Sequence, residues 1–139
     1  MTTQYPAAVD PIDPLPSTPD RSDDQVEAIQ KYVGVFGELD DDGEIPVANG
    51  VSGTYVVTKD TAAALTLAAP TVDGQRITVV SATDAAHVIT TADLILDGTS
   101  GANETATFAA QAGASISLVG HDGVWLTTAL VAVTPAPGQ

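Results

Sequence analysis

From Val51 onward the apolar residues recur at every second position in short runs, and that period admits only extended chain. The runs fall at 54–58, 64–68, 76–80, 87–90, 94–96, 105–108, 115–119 and 124–128. Within them Thr and Ser alternate with aliphatic residues, so each run offers one face to a core and the other to water. Turn formers separate the runs: Pro70 to Gly74, Asp97-Gly98, Gly101-Ala102-Asn103, Ala112-Gly113-Ala114 and Asp122-Gly123. Strands spaced by ~8–12 residues predict a small antiparallel β sandwich or barrel over 51–134. Aromatic residues are only 4% of the chain, so Ala, Val, Ile, Leu and Thr fill the core, with Trp125 as its anchor and Tyr55 and Phe108 beside it. Residues 135–139, with Pro135 and Pro137, read as a frayed tail.

The first fifty residues follow another logic. Pro6, Pro11, Pro14, Pro16 and Pro19 remove amide donors and fix φ, which excludes both helix and central strand. Residues 1–21 therefore read as an extended arm. Its apolar residues Tyr5, Val9, Ile12 and Leu15 have no core of their own and are the candidates for contact with a partner. Ser22-Asp23-Asp24-Gln25 reads as a capping box that opens a helix at 22–34, with Gly34 at its end. Val26, Ile29, Val33 and Phe36, spaced 3, 4 and 3, form a coiled-coil-like seam. A helix this short is marginal alone in water, so the seam must pack either on the chain's own β domain or, the preferred reading, in a short parallel bundle of copies; a homotrimer satisfies such a seam, as two or four copies would. Residues 35–50 read as an acidic linker. The fold class is thus mainly β, preceded by an extended Pro-rich arm and one short helix.

Charge narrows the function. Eighteen Asp and Glu against four Lys and Arg leave −14, and eleven of the acids lie in residues 1–44. Nucleic-acid affinity comes from cations that neutralise phosphates, and anionic membranes attract basic segments; neither partner is expected. The 1–19 segment has neither the basic start nor the apolar stretch of a secretory leader. With no cysteine there is no disulfide frame and no thiolate chemistry.

Few residues could carry chemistry. Glu38, Asp40, Asp42 and Glu44 fall partly in register with a calcium-binding EF-hand loop, and Gly43 takes its tight-turn position. Asn49 stands where the bidentate Glu belongs and Pro46 blocks the exiting helix, so a solvated linker is preferred and no metal or cofactor is expected. His87 and His121, with Asp84 or Asp122, could form a metal or acid–base group, yet no zincin spacing or nucleophile elbow surrounds them. An enzyme is not expected. An exposed Trp125 at a hairpin would instead suit a receptor- or glycan-binding tip.

Several segments resemble one family. Tyr5-Pro6, Pro19 to Gln25 and Glu27-Ala28-Ile29-Gln30 resemble the arm and helix that open tailed-bacteriophage head-fibre and capsid decoration proteins. Ala64-Leu65-Thr66-Leu67, Gly74 to Val79, Gly113 to Leu118 and Asp122-Gly123-Val124-Trp125 resemble the compact β domain of phage head fibres. The resemblance implies a virion structural protein, commonly a trimer. Its N-terminal arm would clasp the major capsid protein or another virion protein, and its β domain would face outward from the capsid surface. A tail-associated fibre or an adhesin tip is the alternative.

Overall fold

A computed structural model describes residues 34–99 and 101–138. The arm residues Tyr5, Val9, Ile12 and Leu15 and the seam residues Val26, Ile29 and Val33 lie outside them. Among the described residues ten strands run in order: β1 (Val35–Leu39), β2 (Gly43–Glu44), β3 (Gly53–Val57), β4 (Ala64–Thr66), β5 (Arg76–Ser81), β6 (Val88–Leu96), β7 (Asn103–Phe108), β8 (Ser115–His121), β9 (Val124–Val131) and β10 (Val133–Ala136). The protein is mainly β, and its strands form one curled, open sheet.

The first six strands are wound rather than hairpinned. β1, β3 and β5 lie side by side in parallel, and β2, β4 and β6 form a second parallel row. The chain crosses from one row to the other after every strand. Gly53 pairs with Ile77 and Ala64 with Val88, so both rows advance by 24 residues between the second and third windings. The first winding is shorter, with Val35 against Gly53 and Gly43 against Leu65. β8 and β9 then close the rows together: β8 is antiparallel to β5 and to β9, and β9 runs parallel to the end of β6. β7 is antiparallel to β6, and β10 to β7.

The 24-residue advance is written in the sequence. Thr54, Val56, Asp60, Ala62, Thr66, Ala68, Asp73 and Gly74 recur as Thr78, Val80, Asp84, Ala86, Thr90, Ala92, Asp97 and Gly98. Repeats that stack in this way bury a continuous apolar row that no single repeat could bury. Tyr55 and Val57 on β3, Leu65 on β4, Ile77 and Val79 on β5, and Ile89 and Ile95 on β6 enter one core with Phe108, Ile116, Leu118 and Trp125. Each such side chain contributes about 1.5–3 kcal/mol on full burial.

The sheet corrects four expectations. The pairing is mixed, with five parallel pairs, not antiparallel. Short alternating runs divided by turns arise equally from hairpins and from windings, because alternation reports faces and not neighbours. Residues 35–50 are no linker: they carry β1, β2 and a 3-10 turn at Ala48–Gly50, and they bury Ile45 and Val47. The runs at 87–90 and 94–96 are one strand, β6, bent where Asp93 adopts φ 57°. There the Thr91 hydroxyl accepts the Leu94 amide at 3.1 Å, and the pairing with β7 shifts register. The tail begins later than expected, since β10 includes Pro135 and Ala136. An edge strand tolerates proline because no partner needs its amide.

Candidate functional site: the His87 corner

The crossings from the β1–β3–β5 row to the other stack at one end of the winding. They are residues 40–42, 58–63 and 82–87. Backbone bonds stitch them: Thr58 donates to the Leu39 carbonyl, Ala82 to Val57 and Val88 to Ala63, each at 2.9 Å. Side chains complete the stitching, Asp42, Lys59, Thr83 and His87 among them.

His87 sits in the third crossing, fully buried. The amide of Ala63, its counterpart one winding earlier, donates to Nδ1 at 3.0 Å. Its Nε2 lies 3.1 Å from the Thr83 hydroxyl, which spends its own proton on the Lys59 carbonyl at 2.8 Å. The hydroxyl must therefore accept from Nε2, and the pattern assigns the neutral Nε2–H tautomer. Phe108 packs on the ring edge-on, centroids 6.2 Å apart, and its amide donates to the His87 carbonyl at 2.8 Å. Burial, and after it the charge of Lys59, holds the imidazole below the ordinary histidine range.

The first crossing grips the second through a carboxylate. Asp42 Oδ1 accepts from Lys59 Nζ at 2.8 Å and from the Ala64 amide at 2.9 Å. Asp41 lies 3.4 Å from the same ammonium. The hydrogen bond from Lys59, then that from Ala64, holds the Asp42 carboxyl below its usual value; the bond to Asp42 raises Lys59.

At the opposite end, where the chain returns, a neutral amide does the equivalent task. Gln75 is buried beside the segments 47–51 and 70–72. Its Nε2 donates to the carbonyls of Val47 and Val51, both at 2.8 Å, and its Oε1 accepts the Thr71 amide at 2.9 Å.

The residues picked out in the sequence disperse over this frame. Asp42 is engaged with Lys59 and Ala64, and the structure does not gather Glu38, Asp40, Asp42 and Glu44 round a common point. Asp84 accepts the Ala112 amide, Asp122 donates its amide to Asp73, and His121 is exposed at the end of β8. Among the described residues no group of three or more His, Asp or Glu is placed to hold a metal. Trp125 is fully buried with Nε1 bonded to the Ala68 carbonyl at 2.8 Å, and Tyr55 and Phe108 are buried too, as expected of core anchors. That burial denies Trp125 the role of an exposed ligand platform. Phe36, expected on the helical seam, is instead on β1 and is 67% exposed.

Sequence reasoning passed over Gln75 as a structural centre. A buried glutamine leaves no periodic trace; the repeat does mark its place, directly after the Asp73-Gly74 pair that recurs as Asp97-Gly98. No protein-family model matches the chain, and comparison with curated proteins finds no match either.

Proposed function

We propose that this chain is a virion structural protein of tailed bacteriophages, a capsid decoration or head-fibre protein. It is held to the capsid through its N-terminal arm and assembles as a homotrimer. The observation that carries the reading is Phe36. A large apolar side chain, 67% exposed on the edge strand β1, stands three residues after the 1–33 segment, along whose proline-rich start Tyr5, Val9, Ile12 and Leu15 are spaced. A group so placed is suited to cover by another subunit or by the capsid. In this reading the wound sheet supplies the outward-facing sandwich- or barrel-like domain, and its net negative charge keeps a crowded surface soluble. Several arms tied to one trimer turn modest contacts into a tight clamp.

Co-sedimentation with particles assembled without the protein tests the assignment. The full chain is expected to bind, and a chain lacking residues 1–20 to lose binding while sedimenting as a species three times the 14.0 kDa chain mass. Full occupancy by the truncated chain would overturn the arm's role, and a monomeric full chain the trimer.

A further inference from the structure

We propose that His87 is an acid-released catch that holds the third crossing to the second. Its buried ring accepts the Ala63 amide at Nδ1 and donates to Thr83 at Nε2; the first of these bonds requires the neutral ring, because an imidazolium can only donate. A proton added at Nδ1 would set two N–H groups against each other 3.0 Å apart, at a ring shielded from solvent.

The surrounding charges do not rescue the cation. Lys59, on the second crossing, adds like charge. Asp41 and Asp42, on the first crossing, are turned to the Lys59 ammonium. Asp60 stands exposed beside Lys59 on the second crossing, and Asp84, on His87's own crossing, accepts the Ala112 amide. β7, which brings Phe108 to the ring, carries only Glu104, at its far end; β6 carries only Asp93, at its bend. Protonation is thus relieved by opening 82–87 to water. Because the closed state binds the proton more weakly than the open one, the open state gains protons as pH falls below about 6.5, the ordinary histidine value. The open fraction then rises by up to roughly tenfold per pH unit until the closed state also protonates.

Amide exchange on the full chain at pH 7.5 and 5.0, corrected for intrinsic rates, reads this directly. The amides of Ala63, Val88 and Phe108 are expected to lose protection on acidification. Those of Gly74 and Gly120, bonded at the Gln75 end, are expected to keep theirs. In His87→Asn, whose amide oxygen can accept from Ala63 without titrating, the difference should vanish. Unchanged protection in the native chain, or the same loss in His87→Asn, overturns the proposal. Should that variant not fold, imidazole nitrogen shifts of the native chain decide. A ring that becomes cationic as the Ala63 amide loses protection supports the catch, and one that becomes cationic with that amide still protected refutes it.

Discussion

The two ends of the winding meet one requirement with different chemistry. Wherever the chain crosses between rows, its backbone leaves the sheet ladder and its polar groups need other partners. At one end Gln75 supplies them with a neutral amide that donates twice and accepts once. At the other, Asp42, Lys59, Thr83 and His87 share the task, and three of those four titrate. Equal stitching in neutral water therefore implies unequal stitching in acid. The difference teaches that the weak point of a wound sheet is set by what joins its windings, not by the strands themselves.

Removing Gln75 should have the largest effect. Gln75→Leu keeps the apolar stem but strands the Val51 carbonyl and the Thr71 amide and leaves the Val47 carbonyl only the Thr71 hydroxyl, and it should cost about 3 kcal/mol, equally at pH 7.5 and pH 5, by urea unfolding. A marked pH dependence of that loss would break the comparison. His87→Leu should cost about 2 kcal/mol at pH 7.5 by leaving the Ala63 amide without an acceptor. Native His87 has a depressed value when folded, so its stabilisation is complete above about 6.5 and declines as pH falls through the window below. The leucine variant should lack that decline, and the gap between the two proteins should narrow toward pH 5. Thr83→Val, which severs Nε2 from the Lys59 carbonyl, should cost about 1 kcal/mol by the same unfolding measurement and leave the Gln75 end's exchange protection untouched. Asp42→Asn should have the smallest effect, because the pair with Lys59 is exposed. Its folded carboxyl is depressed, so its contribution is present above the ordinary value of 3.8 and lost below it. The melting-temperature difference from the native chain at pH 7.5 should shrink in 1 M salt, with a Debye length near ~3 Å.

The legible parts of the molecule were those with local signatures. β3, β5, β8 and the start of β9 stand where Thr and Ser alternate with aliphatics, because a half-buried strand must alternate whatever its neighbours are. Trp125 announced itself as a core anchor by size alone. β1 was hidden: Phe36 continues a helical spacing from Val26, and a spacing of 3 and 4 in so few residues does not tell whether the last of them lies on a helix or a strand. β10 was masked by Pro135, acceptable only because that strand lies at an edge. His87 could be read as structural, but its partners could not, since Ala63 lies 24 residues away on another winding. The 24-residue echo from Thr54 and Thr78 to Gly74 and Gly98 was the available signal for winding, and its short, diverged matches are easily passed over beside the stronger turn signals.

Alternation and turn chemistry by themselves determined that residues beyond 50 would be short strands around an aliphatic core, because each depends on neighbours within a few positions. Only the tertiary structure decided which strand lies beside which, that the pairing would be parallel along both rows, and that Gln75 and His87 would be sealed between windings. Those outcomes depend on contacts between residues more than twenty positions apart, where one local pattern is compatible with several neighbours and the shared burial of the whole core selects among them.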